Sequence, residues 1–374
     1  MRGADVAIVG AGIGGLTAAI ALHKAGCRVR IYERAERLGD VGAGITITPN
    51  AWKGFASLGL GAALDAEADE VPHQAIRHHE SGAPIAEIPR GPVTRETYGA
   101  PYVMLHRADL HRILVDAVRG VDADAIRLGQ GVDDVARIDA DAVIAADGIK
   151  SVARSQIFGD PEPRFTGHLA WRGLVPAERL PASASAPGSV VWAGPGRIFV
   201  RYPIRHGKLV NFVGLTRSDE WRGEGWSQLA AKRDVLAEYE GWHPDITTTI
   251  EAAADDTIIT WGLFARDPLD QIVEGRIALL GDAAHPMLPF MGQGAAMAIE
   301  DGVVLGRAFA GADSAAEALA RYAAARMPRT SFIQRESAAG ADRLQFEVAK
   351  TAQAPTRTED TLGIFHFDPA TAPV

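Results

Sequence analysis

A single cysteine, Cys27, stands among 374 residues. That excludes an intrachain disulfide and any cysteine-based metal cluster, and it suits a reducing compartment. Basic excess is missing as well: 38 Lys and Arg face 47 Asp and Glu, for a formal charge of −9. With no basic block or stripe, neither nucleic acid nor an anionic membrane is expected as the main partner. No uninterrupted apolar run is long enough to span a bilayer, and the strand pattern from Asp5 leaves no room for a charged leader with an apolar core. A soluble, cytoplasmic monomer or homodimer is the expectation. The scattered histidines His73, His78, His79, His106 and His111 show no ligand spacing, so no metal is expected.

What is present is an ordinary globular composition, 47% hydrophobic and 23% charged, long enough for one large core or two joined ones. The first thirty-odd residues alternate strand, helix and strand. Val6 to Val9 is a short apolar run, Leu16 to Ala25 is helical in composition and stops at Gly26, and Arg28 to Tyr32 is β-branched again. A second helix is expected after Asn50, with Asn50 as its N-cap, and a third over about 107–118. Ala140 to Ala146 reads as a buried strand. From His168 to Thr216, short aromatic-containing strands broken by Pro and Gly suggest an antiparallel layer. Helix is expected over 227–239, strand over 257–264 and 276–280, and helix from Gly294 to Lys350 with a break at Met327-Pro328.

Gly10-Ala11-Gly12-Ile13-Gly14-Gly15 joins the first strand to the first helix. Gly10 permits the tight turn, Gly12 lets backbone N–H groups approach a pyrophosphate, and Gly15 lets the helix pack close to its strand. The helix N-terminus adds partial positive charge. Glu33, followed by Arg34, ends the second strand at the spacing at which a carboxylate accepts from an adenosine ribose. The combination points to a bound dinucleotide, and Glu33 disfavours a 2′-phosphate in this slot.

Two further pieces extend the pattern. Asp147-Gly148 follows the mid-chain strand, and Gly281-Asp282 follows the apolar run Ile277 to Leu280, leading into His285-Pro286, Pro289 and Gly292-Gln293-Gly294. A carboxylate directly after a buried strand is costly unless bonded, and sugar hydroxyls are suitable donors. In this order the three motifs resemble those of the FAD-dependent aromatic-ring hydroxylases, the single-component flavoprotein monooxygenases that include 4-hydroxybenzoate, salicylate and 6-hydroxynicotinate hydroxylases. The resemblance runs from Val6 to about Arg326, and segments 42–51, 95–111, 285–301 and 364–370 look most like the salicylate and 6-hydroxynicotinate branch.

The resemblance implies an α/β fold: a Rossmann-like FAD-binding domain from 1–72, 98–160 and 266–326, an inserted, mainly antiparallel substrate-binding sheet domain from 73–97 and 161–265, and a helical C-terminal tail, 327–374. It implies FAD as cofactor, NADH or NADPH as transient electron donor, and hydroxylation of a small electron-rich aromatic by way of a flavin C4a-hydroperoxide. Asp282 should then bond the ribityl chain, and the backbone from Pro289 to Gly294 should receive the flavin ring. Arg107 should face the pyrophosphate, Val132 should touch the adenine, and Gly44 and Asp147 should lie beside the cofactor.

For the substrate, the strand Arg197 to Tyr202 alternates. The resemblance suggests that its Arg197, Phe199 and Arg201 face looks toward the flavin, where an arginine would hold a carboxylate or phenolate. Pro286 is expected in the same wall, and Arg201, Tyr202 and His285 are the candidates for a catalytic role. Thr46 and Phe290 stand where this branch often carries histidine, so the groups that orient a heteroaromatic acid are changed. The stretch from Arg127 to Ala140 is shorter than the hairpin of such proteins. An epoxidase, a decarboxylating hydroxylase, a halogenase or a non-catalytic FAD-binding redox sensor are the alternative readings, although no lysine motif of the halogenase kind is visible.

Overall fold

The computed structural model describes residues 3–39, 42–160, 162–221 and 227–374. Its first sheet has six strands in the order Val273–Glu274, Ile277–Leu279, Ala142–Ala145, Asp5–Val9, Arg28–Tyr32, Ile126–Arg127. All neighbours run parallel except the first pair. Ala142–Ala145 and Ile277–Leu279 are buried throughout, which is why they read as continuous apolar runs without alternation.

Against this sheet lies the first helix, Ile13–Lys24, and against that helix lies Gly294–Gly311. Their approach is set by glycine. A Cβ at Gly302 would sit 2.7 Å from Ala18 N, and one at Gly306 would sit 2.5 Å from Ala21 Cβ and 2.8 Å from its carbonyl. No larger residue allows the two backbones to pack this closely.

The second sheet has eight strands: Ser227–Leu229, Ile259–Ala265, Arg164–Pro176, Leu209–Arg217, Arg197–Ile204, Ser189–Gly194, His73–His78, Pro84–Pro89. Its pairs are antiparallel apart from Ser189–Gly194 with His73–His78. One face buries Trp171, Trp192, Phe199 and Phe212 with Tyr239, Ile246 and Ile250 of the helices Lys232–Glu238 and Pro244–Ala252. The other face carries Ala170, Ile198, Val213 and Leu215 and packs with Leu288 and Phe290. A three-stranded sheet of Gly44–Ile47, Val103–His106 and Asp69–Glu70 joins the two.

Several expected boundaries move. Residues 227–239 open with a strand, Ser227–Leu229, before the helix Lys232–Glu238. The second helix spans Pro49–Ser57 with Thr48 before it. Asn50 lies inside the first turn, where its amide donates to Glu300 Oε1 at 2.7 Å and Gln293 Oε1 at 3.1 Å, so a distant buried carboxylate claims the side chain expected to cap. Pro328 does not break the chain: the helix Ala315–Asp342 runs through it. Arg326 and Arg329 pair with Glu300 at 2.8 and 2.7 Å on either side of the proline, and this bonding holds the turn whose backbone hydrogen bond the proline removes. The tail is only partly helical. After a π-helical stretch over Arg343–Val348 and a short turn of helix at Ala349–Thr351, it continues as turns and irregular backbone.

Gly306→Ala is expected to destabilise the protein by about 1–3 kcal/mol through overpacking. Gly120→Ala, in the helix Arg107–Val121 with nothing within 4 Å of its new Cβ, should stabilise by about 0.5–1 kcal/mol. Urea unfolding midpoints of the two variants, moving in opposite directions, would check this.

Candidate active site and nucleotide groove

The glycine turn is built as its sequence demands. Gly10 adopts φ 105°, and a Cβ there would strike Ala146 O at 2.4 Å. A Cβ at Gly15 would lie 2.1 Å from Gly10 O, whereas one at Gly12 meets nothing within 4 Å. Gly10 and Gly15 thus fold the turn, and Gly12 keeps it open toward solvent. Gly14 is needed for a different contact, since its Cβ would meet Leu280 Cδ2 at 2.7 Å, and Ile13 starts the helix from within the core. Glu33 accepts from Ala11 N–H and Ala35 N–H, both at 2.9 Å, while each of its oxygens keeps a further lone pair. Arg34 is exposed next to it, and Val132 is half-buried nearby.

Asp147 lies beside this turn, its Cα 3.3 Å from a Cβ built at Gly10, and Arg107 and Asp282 line a cavity of about 470 Å³. Asp147 Oδ2 caps the next helix by accepting from Val152 N at 2.8 Å, but its buried Oδ1 has no partner. Asp282 lines the cavity and is exposed to it, with no protein donor bonding its carboxylate among the described residues. Burial pushes its carboxyl above the ordinary range, against the pull of His285 and Arg107. Burial likewise lowers the Arg107 guanidinium, which the Asp282 charge opposes.

The loop after Asp282 is held from behind. His285 Nε2 lies 2.6 Å from Asp301 Oδ2, which also accepts from Gly281 N at 3.0 Å, and Arg326 Nε donates to Asp301 Oδ1 at 2.7 Å. Burial alone would raise the Asp301 carboxyl, but the His285 and Arg326 charges and hydrogen bonds bring it down to about 2. His285 is therefore turned into the core and away from the cavity, which removes it as a catalytic candidate. Pro286 is also buried and lies outside the cavity lining. Pro289, Phe290, Gly292 and Gly294 line the cavity, while Gln293 sits buried behind them with its Nε2 unpartnered.

On the substrate side the expected strand face is reversed. Ile198, Val200 and Tyr202 line the cavity. Phe199 stacks on Phe212 with centroids 5.5 Å apart and meets Trp192 and Tyr239 edge-on. Burying that aromatic cluster under two helices takes the whole alternate set with it. Arg197 accordingly pairs with Glu238 at 3.1 Å, and Arg201 lies 5.4 Å from the Trp192 ring and donates to Ser183 O at 3.1 Å. Neither arginine reaches the cavity. Tyr202 does, and its ring explains Gly44, where a Cβ would lie 2.5 Å from Tyr202 Cε2. Thr46 lines the cavity beside it.

Polar groups outside the motifs also line the cavity, among them Arg172, Tyr102 and Glu359. Arg172, on Arg164–Pro176, lies 4.5 Å above the Trp261 ring, and its buried Nε has no partner. Burial lowers its guanidinium, with the nearby Tyr202 opposing. A charge breaking the apolar alternation Ala170, Arg172, Leu174 was the available signal. Tyr102 and Glu359 have no comparable one.

A family profile described as "FAD binding domain" matches residues 3–337. The chain is 39% identical over 349 residues to 3-amino-4-hydroxybenzoate 2-monooxygenase PtnB3 of Streptomyces platensis, covering 89% of this chain and 86% of that one. To the 6-hydroxynicotinate 3-monooxygenase of Pseudomonas fluorescens it is 35% identical over 350 residues, covering 89% and 90%. Klebsiella pneumoniae HpxO complexed with FAD and uric acid shares its structure at a TM-score of 0.83 and 26% identity, over 97% of this chain and 95% of that one. The chain belongs to the FAD-dependent aromatic-ring hydroxylases. It is a flavoprotein monooxygenase, an oxidoreductase that binds FAD and uses NADH or NADPH as electron donor.

The groove fits that cofactor. Gly12 leaves room for a pyrophosphate, Asp147 Oδ1 and the Asp282 carboxylate await donors that a ribose and a ribityl chain carry, and Gln293 opens the helix Gly294–Gly311 toward the cavity. Among the described residues no group of three or more His, Cys, Asp or Glu is arranged to hold a metal, and no helix is long and apolar enough to cross a membrane.

Two outcomes follow. Asp282→Ala should weaken FAD binding by about tenfold or more, the loss of a hydrogen bond to a charged acceptor, with little change in unfolding midpoint because no protein donor bonds this carboxylate; titration of the apoprotein by flavin fluorescence reads the affinity. The Asp301 carboxyl, lowered from 3.8 to about 2, contributes stability that is complete above pH 4 and lost as pH falls toward 2, about 2 kcal/mol in all. Unfolding midpoints measured across that window should fall in the wild type and fall less steeply in Asp301→Asn.

Proposed function

We propose that this monooxygenase hydroxylates a small phenolic aromatic acid. The observation that carries the reading is Arg172. It is an arginine without a carboxylate partner among the described residues, held on Trp261 in a cavity whose other walls are mainly apolar. A buried guanidinium is costly when unpaired, and a planar carboxylate or phenolate satisfies it with paired hydrogen bonds. The relative PtnB3 is named for an aminohydroxybenzoate, an aromatic of that kind.

FAD, when bound, supplies the electron transfer from NADH or NADPH and the activation of O2. The chain's own residues bind and orient. Gly12 and the first helix receive the pyrophosphate, Glu33 the adenosine ribose, Asp282 the ribityl chain, and the backbone from Pro289 to Gly294 the ring. Arg172 anchors the acid, while Phe290, Val200 and Ile198 pack on the aromatic ring and exclude water. In this reading residues 1–72, 98–160 and 266–326 form the cofactor domain, and 73–97 with 161–265 form the substrate domain. The protein acts in the cytoplasm, as a monomer or homodimer.

Purified protein should carry FAD and oxidise NADH or NADPH faster when 3-hydroxybenzoate or 3-amino-4-hydroxybenzoate is added, with hydroxylated product formed. Stimulated oxidation that yields only hydrogen peroxide from every phenolic acid tried would count against hydroxylation. A yellow protein with no aromatic-stimulated turnover would instead favour a redox-sensing module.

A further inference from the structure

The end of the chain closes one side of the cavity. Beyond the helix Ala315–Asp342 it returns across the opening, and Arg343, Leu344, Pro355, Arg357, Thr358 and Glu359 all contribute to the wall. This return is tied at two points. Glu336 accepts from Arg343 Nη1 at 2.9 Å and from Arg357 Nη2 at 2.6 Å. Asp360 accepts from Arg90 Nη1 at 2.8 Å and from the Tyr98 hydroxyl at 2.7 Å.

Glu359 lies between these ties. The three arginines of this wall, Arg90, Arg343 and Arg357, are bonded to Glu336 and Asp360, and none of them donates to Glu359. Its carboxyl is half-buried, lines the cavity and, among the described residues, is bonded by its own backbone N–H and by no side chain. A carboxylate on the wall of a largely apolar cavity is costly until a donor reaches it. Once a ligand donor does, the hydrogen bond to a charged acceptor is a strong one.

We propose that Glu359 is a specificity-determining residue, whose carboxylate accepts a hydrogen bond from a hydroxyl or amino substituent on the aromatic substrate. This rests on the reading that the cavity receives an aromatic acid. Arg172 takes the acidic end and Glu359 the donor, so an aromatic acid without a donor substituent leaves a carboxylate unsatisfied. Sites built in this way discriminate strongly against the analogue that lacks the group.

The discrimination depends on pH. Burial raises the Glu359 carboxyl to about 7, against the opposing charges of Arg90 and Arg343 and with the Asp360 charge adding to the rise. Tyr102, just before the strand Val103–His106, also lies near it, and Arg357 and Glu336 complete the charged surroundings. Above pH 7 the carboxylate is ionised and is a strong acceptor, and below it the protonated carboxyl accepts only as a neutral group and more weakly.

The test uses the FAD-loaded protein and three probes, 3-hydroxybenzoate, 3-aminobenzoate and benzoate, with dissociation constants read from the flavin absorbance change at pH 6 and pH 8. The wild type should bind the two donor-bearing probes about tenfold or more tighter than benzoate at pH 8, with the advantage shrinking at pH 6. In Glu359→Gln, which keeps only a neutral acceptor, the advantage should shrink severalfold and its pH dependence vanish, while flavin content stays unchanged. Glu359→Asp should restore part of the pH dependence. Unchanged discrimination in Glu359→Gln, or equal weakening of all three probes, overturns the inference while the cavity reading stands. Failure of the wild type to bind any of the three overturns both.

Discussion

Asp301 holds the site together from the back. It is buried, and it ties the loop after the last strand, through the backbone at Gly281 and the His285 imidazole, to the Arg326 guanidinium of a distant helix. With Glu300 beside it, which binds Asn50, Arg326 and Arg329, it fixes the loop 281–294 against two helices. A carboxylate in this position is tolerable only because its charge is matched on both sides. The cavity floor, the start of the helix Gly294–Gly311 and the placement of Asp282 all follow from that matching.

How much of this was legible depends on whether the cause is local. The glycine turn is largely local: the positive φ at Gly10 and the contact of Gly15 with Gly10 O belong to the turn itself, although the carbonyl that crowds Gly10 comes from Ala146, at the end of the neighbouring strand. Asp282 is also local, a charge at the end of a buried strand. The strand Arg197 to Tyr202 is different, because alternation gives a period without a sign. Which set faces the cavity was decided by Trp192, Phe212 and Tyr239, residues on other elements.

Asn50 and Pro328 depart from expectation for a related reason. Each has a strong local preference, for capping or for ending a helix, and each is overruled by a distant partner, Glu300. In the tail, Glu336 and Asp360 draw the chain back over the cavity by way of Arg357 and Arg90. Residues that hold the site from behind are thus much less visible in sequence than those that line it, because they need only complementary charge and can come from anywhere.

The order of strands in the two sheets has a consequence for how the protein is made. The pair His73–His78 and Ser189–Gly194 brings together segments more than a hundred residues apart, and the first sheet receives Ile277–Leu279 as the neighbour of Ala142–Ala145. On the ribosome, neither sheet can be completed from the N-terminal half of the chain. The nucleotide turn emerges early but waits, with open strand edges on both sheets, until residue 279 of 374 has been synthesised. Long-range pairing of this kind folds slowly and exposes edges to other chains, so nascent chains are most vulnerable to aggregation between those two points of synthesis.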